Sequence, residues 1–281
     1  MYTLVNSDLK TIEPVVNAWI SNCQKAKDVF ILGCNEPSNP WGDWYRAVGS
    51  TAFEKPPDQI TKDERFVSKN EILLALTYGR SPEILAPVLG WTYEKTENFY
   101  FRFFYQDYPE IYIRMEDVRY NVFSGKPITT CCGTRQFFPL SKWYDYDRSK
   151  HFWMLPHQLR KELKISFHDQ HILDKANNFT VQGPGAIINN CGLIEIQKRR
   201  IIDPDFRKLV LPHISCHDAI VNSVLTSRLK EGVNAIAEIT YDCKMLERRG
   251  FNFGFTDDCN PLRGEFKVGA NYYDMEEVEY G

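Results

Sequence analysis

"LVLPHISCHDAIV" occupies residues 209–221, and the way it is read decides the fold around it. An apolar run gives way at Pro212 to a stretch in which Ser215 precedes "CHDAIV". With Ser215 as an N-cap, Asp218 completes a box-like pair. Ile220, Val221, Val224, Leu225 and Leu229 then form one helical stripe that stops near Gly232. This reading predicts a helix from about residue 216 to 230, in which Ser215→Ala costs about 1 kcal/mol. Cys216 would lie in the first turn, where the helix dipole lowers a thiol pKa and His213 or His217 can take the proton. The same position suits an unreactive thiol buried under the cap, and that is the expectation adopted for Cys216.

Outward from this stretch the pattern is mixed. "TIEPVVNAWISNC" (11–23) has apolar residues at helical spacing, with Pro14 in the first turn. "DVFILG" (28–33) reads as a short strand and "CNEPSNPWGDW" (34–44) as a loop. "SKNE" (68–71) reads as a capping box, and "SPEILAPVLG" (81–90) as a helix entered at Pro82 and stopped by Gly90. "NFYFRFFY" (98–105) and "EIYIRMEDVRYNVF" (110–123) alternate at period two and predict a long antiparallel hairpin. "PHQLRKELK" (156–164) is a short helix. "FTVQGPGAIINN" (179–190), "GLIEIQK" (192–198), "FRKLVLPHI" (206–214), "VNAIAEITY" (233–241) and "GEFKVGANYY" (264–273) read as strands. The expected class is α+β: an α/β segment over residues 1–95, then a β-rich, mostly antiparallel region with a few short helices over 96–281. The two parts can equally form one continuous domain, 1–281.

Net charge is −3, and the only basic clusters are "KRR" (198–200) and "ERR" (247–249). Nucleic acid is therefore not expected as the main partner. The N-terminus lacks the basic and apolar regions of a secretory signal, and no stretch is long enough to span a membrane. This predicts a protein of the host cytoplasm or a virion. The eight cysteines show no repeated spacing and read as small buried hydrophobes. "HDQH" (168–171) and "HISCH" (213–217) hold potential zinc ligands without a Cys-x-x-Cys knuckle, so neither metal nor cofactor is expected. The "HD" pair at 217–218 suggests a phosphohydrolase, but that fold is all-helical and the neighbours read as strands.

Two family resemblances bear on chemistry. The Cys216-His217 pair after Leu211-Pro212, with Arg199-Arg200 upstream and "GEF" (264–266) downstream, resembles the nucleophile loop of thymidylate synthase and the phage pyrimidine hydroxymethylases. Here two extra residues separate the proline from the cysteine. The resemblance implies Cys216 as nucleophile. "ILGCNEPS" (31–38) and "LPHISC" (211–216) resemble, in order, two loops of the uracil-DNA glycosylase superfamily. That resemblance implies that Asn35 positions water, Trp44 or Tyr45 stacks on a flipped base, and His213 stabilises the developing anion.

Neither signature is complete, and aromatic content is high at 14%. The irregular segment around Trp143, Tyr144, Tyr146 and Trp153 has neither helical nor strand period and reads as interface anchors. The main expectation is therefore a non-catalytic assembly protein acting through protein–protein contacts in a homo- or hetero-oligomer. Its most concrete form is a component of a tailed-phage neck, tail or baseplate. The alternative is an enzyme acting on a nucleotide or DNA base, through Asn35 and His213 or through Cys216.

Overall fold

The computed structural model describes residues 1–216, 218–256 and 258–280. Seven strands are present among them: β1 (Tyr2–Asp8), β2 (Ile128–Thr129), β3 (Arg135–Gln136), β4 (Val210–Cys216), β5 (Ala219–Leu225), β6 (Glu265–Gly269) and β7 (Glu276–Val278). β2 and β3 form a small hairpin. The others form one antiparallel sheet in the order β4-β5-β1-β6-β7. With helices supplying most of the remaining structure, the α+β class holds. Among the described residues no helix is long and apolar enough to cross a membrane.

Two compact units make up the chain: Met1–Val15 with Gln182–Gly281, and Val16–Val181. The division expected near residue 95 falls inside the second unit. The first unit holds the five-stranded sheet. Its helix Leu229–Thr240 buries Val233, Ile236, Ala237 and Thr240, which lie at i, i+3, i+4 and i+7, and packs on β5 and β1. Gly232 permits this close approach, since a Cβ there would lie 2.2 Å from the Val224 side chain.

The second unit is helical apart from the small hairpin. Its interior is a chain of rings, in which Phe30 meets Trp44 edge-on and Trp44 meets Tyr108, which packs on Phe103 and thence Phe99. Such edge-to-face packing fills space with few rotamers, which is where the aromatic excess goes.

Several segments differ from the sequence expectation. Residues 98–123 form helices, not a hairpin: Tyr93–Phe101 continues into a π-helical turn, Arg102–Asp107, and Pro109 opens Pro109–Phe123. The buried positions Phe99, Tyr100, Phe103 and Phe104 follow i, i+1, i+4, i+5, a helical face that the alternating rings disguise as period two. "DVFILG" lies in the helix Gln24–Asn35, and "SKNE" lies in a π-helical turn, Ser68–Leu73. The capping box sits instead at Thr61 and Glu64. "FTVQGPGAIINN" and "GLIEIQK" both belong to one 36-residue helix, Phe167–Ile202, which carries Pro184 and its flanking glycines in its interior. "VNAIAEITY" is helical as well.

The opening stretch is a β-hairpin. β4 and β5 pair antiparallel with Cys216 opposite Ala219, joined by residues 217 and 218, so no helix begins at 216 and Ser215 caps nothing. Residues 219–222 are all buried, and a strand covered on both faces gives a continuous apolar run that a helical stripe also fits.

Candidate active site

The sheet brings two distant aspartates together. β1 is the central strand. Its last residue, Asp8, stands opposite Ala219 of β5 on one side and Glu265 of β6 on the other. Asp218 immediately precedes β5, and its carbonyl accepts the Leu9 amide at 2.9 Å, which ties the hairpin end to the exit of β1. From the long helix, buried Asn189 donates to Ser215 Oγ at 2.9 Å and to the Ala219 carbonyl at 3.0 Å. Asn189 therefore holds both arms of the hairpin beside Asp218.

Negative charge dominates this corner. Burial pushes the Asp8 carboxyl up to about 6, and the charges of Asp218 and Glu265 push the same way. Lys267, exposed on β6, opposes them. Asp8 Oδ1 is buried without a hydrogen-bond partner. Two carboxyls close enough to hydrogen-bond one another, Asp8 and Asp218, with one buried oxygen that meets no other hydrogen-bond partner, suit a divalent cation. Carboxylate oxygens suit a hard, oxygen-seeking ion such as Mg²⁺. Among the described residues no three His, Cys, Asp or Glu side chains converge into a metal cage. Two carboxylates would leave most coordination positions to water and to substrate phosphates, the usual arrangement for Mg²⁺.

The residues singled out from sequence are scattered. Cys216 ends β4 and is exposed, which corrects the expectation of a buried thiol under a cap. His213 is exposed on β4 and lies 2.7 Å from Ser223 Oγ. His217 lies outside the described residues. Asn35 is the exposed last residue of a helix in the second unit, not part of a loop after a strand. Trp44 and Tyr45 are buried in that unit's core. Arg65 and Lys69 cover the Tyr45 ring at 5.1 and 5.7 Å. Trp143 and Trp153 are exposed, Tyr144 is buried with its hydroxyl on Asp169, and Tyr146 stacks on Phe123 at 4.5 Å.

Sequence reading missed Asp8 altogether and took Asp218 for a capping partner. The available signal was the run "YTLVNSD" (2–8), apolar and β-branched residues ending in an acid.

The second unit carries a different feature. A cleft of about 760 Å³ is lined by Arg80, Arg160, Lys161, Lys164 and His157, with Phe167 and the acids Glu83 and Asp174 also in its wall, Glu83 pairing with Lys161 at 3.0 Å. Phe167 is 78% exposed, and the Arg160 guanidinium lies 3.7 Å from its ring centre. A cationic groove with an aromatic platform is the combination that holds single-stranded nucleic acid.

Comparison with solved structures finds the POL domain of Pol1 from M. smegmatis in complex with DNA primer-template and dNTP. The TM-score is 0.70 and the identity 19%, over 96% of this chain. The chain spans 40% of the length of that structure. No curated protein matches. The family model described as DNA polymerase family A matches residues 1–274. This overturns the expectation of a non-catalytic phage or virion component working through protein–protein contacts, and with it the exclusion of nucleic acid as a main partner. Net charge sums over the whole chain and says nothing of local patches such as the cleft of the second unit, where four Lys or Arg face two acids. The alternative, an enzyme acting on a nucleotide or DNA base, fits the match better than the assembly reading. Matched over nearly its whole length, the chain belongs to DNA polymerase family A.

Proposed function

We propose that this chain carries the nucleotidyl-transfer centre of a DNA polymerase, with Asp8 and Asp218 as its carboxylates and primer-template DNA and deoxynucleoside triphosphates as substrates. The observation that carries the reading is the buried, unpartnered Asp8 oxygen beside Asp218 at the end of the central strand. Transfer joins a primer hydroxyl to the α-phosphate and releases pyrophosphate, so negative charge gathers on the attacking and leaving oxygens. A bound pair of divalent ions supplies the positive charge that stabilises both. Asp8 and Asp218 would hold such ions, and Asn189 would keep the Asp218 end of the hairpin from shifting. The sheet that holds Asp8 and the Leu9 hydrogen bond to the Asp218 carbonyl would set both aspartates before substrate arrives, which limits reorganisation during the reaction. The cationic cleft of the second unit, with Phe167 and Arg160, would hold an unpaired stretch of nucleic acid.

Primer extension on a defined primer-template with Mg²⁺ and the four deoxynucleotides tests the reading. The wild-type chain is expected to lengthen the primer, and Asp218→Asn to lose about a thousandfold or more of that rate. A wild type that binds primer-template yet never extends it, or an Asp218→Asn variant with full activity, would contradict the proposal.

A further inference from the structure

We propose that Tyr241 and Tyr280 form a hydroxyl clamp that positions the main chain at Asp8 for the transfer reaction. The inference rests on the reading of Asp8 as part of the transfer centre. The two hydroxyls grip two strands where they approach most closely. Tyr241 donates to the Asp8 carbonyl at 3.2 Å, and Tyr280 donates to the Gly264 carbonyl at 2.9 Å. Gly264 lies so near that a Cβ on it would sit 1.4 Å from the Asp8 carbonyl oxygen and 3.0 Å from the Tyr241 hydroxyl. The next residue is Glu265, the cross-strand neighbour of Asp8. The clamp therefore fixes both the backbone that bears Asp8 and its separation from the nearest carboxylate on β6.

The rings are themselves held. Tyr241 packs on Phe266 at 6.0 Å and on Tyr280 at 5.8 Å, and Phe266 packs on Tyr280 at 4.7 Å. Asn260, buried, donates to the Tyr241 carbonyl at 2.9 Å and accepts the Leu262 amide at 3.0 Å, tying Tyr241 to the turn before Gly264. Phenylalanine would serve the same apolar packing at both positions. The hydroxyls matter because each reaches a main-chain oxygen of a strand that meets at the centre. Tyr280 lies beyond residues 1–274, the stretch matched to the family, so half of the clamp is outside that pattern. Neither tyrosine is assigned contact with substrate. They are positioning residues.

The test uses Tyr241→Phe, Tyr280→Phe and the double variant, which keep the rings and remove only the hydroxyls. Amide hydrogen exchange is read at residues 7–9 and 264–266, and primer extension is read as separate kcat and KM. Loss of one hydrogen bond is expected to speed exchange at those amides and to lower kcat by about fivefold, with nucleotide KM within about twofold. The double variant should fall short of the product of the singles, because the two hydroxyls serve one geometry. Unchanged exchange in both single variants would overturn the clamp, and so would faster exchange with undiminished kcat. If the wild type itself failed to extend primers, the transfer reading would fall, and the exchange arm alone would decide whether the clamp exists.

Discussion

Asp8 and Asp169 are the same side chain in opposite circumstances, and the contrast separates what serves the fold from what serves the chemistry. Asp169, in the second unit, is fully buried. It accepts hydrogen bonds from Ser141 N at 2.8 Å, Ser141 Oγ at 2.6 Å and the Tyr144 hydroxyl at 2.6 Å. Burial pushes its carboxyl upward, but the donations from Ser141 and Tyr144 outweigh it and hold the group well below the usual carboxylate range. Asp8, in the first unit, has its charge opposed by burial, by Asp218 and by Glu265, and one of its oxygens meets no donor. Protein donors complete the first carboxylate. The second keeps an oxygen without a hydrogen-bond partner, where the proposed transfer centre would take its ion.

The largest expected effect on stability lies on the Asp169 side. Asp169→Ala strands the Ser141 and Tyr144 donors in a buried corner and should lower stability by about 3 kcal/mol in denaturant titration. Because the folded pKa is depressed, this contribution is fully present above the ordinary value of 3.8 and drains away as pH falls below it. A loss under about 1 kcal/mol would blur the contrast, since it would mean that the donors find other partners.

Next in size is a cation effect on the Asp8 side. A carboxyl raised from 3.8 to about 6 costs stability as pH climbs through that window, and the cost stays in full above it. Mg²⁺ at a hundredfold excess over its Kd should return about 2.7 kcal/mol at pH 7.5, and far less at pH 5, where Asp8 holds its proton. Asp8→Asn should remove the response. Equal Mg²⁺ stabilisation of wild type and Asp8→Asn would place the ion elsewhere.

A smaller effect belongs to the cleft of the second unit. Phe167→Ala should weaken binding of a short single-stranded oligonucleotide by about 1 kcal/mol, and Arg160→Ala should reduce the slope of log affinity against log salt by about 0.7. An unchanged salt slope would mean that the cationic wall is not used.

Local signals were legible wherever one residue type dictates the backbone. Pro82 at the start of Pro82–Leu89 and Gly90, with φ +64, at its end give that helix away, as do Pro14 in Ile12–Ile20 and Pro156 in Pro156–Glu162. The strand Glu265–Gly269 was legible from its alternation. Where one composition suits two periods, the sequence was ambiguous. "DAIVNSVL" fits a helical stripe as well as a doubly buried strand, and only pairing with β1 and β4 decides between them. "FTVQGPGAIINN", which holds Pro184 and its glycines, read as a strand but lies within a continuous helix. The candidate site was least legible of all. Asp8 and Asp218 are 210 residues apart in the chain and meet only because β5 pairs with β1, a non-local event that no spacing announces.

The most direct test of the account sets Asp8→Asn beside Asp169→Ala, measuring primer extension per folded molecule and unfolding free energy at pH 7.5. Asp8→Asn is expected to lose extension by about a thousandfold while matching or exceeding wild-type stability without Mg²⁺, because a like charge is removed. Asp169→Ala is expected to lose about 3 kcal/mol of stability while its folded fraction extends primers at the wild-type rate. Full activity in Asp8→Asn would contradict the account, as would an Asp169→Ala variant of wild-type stability with extension abolished.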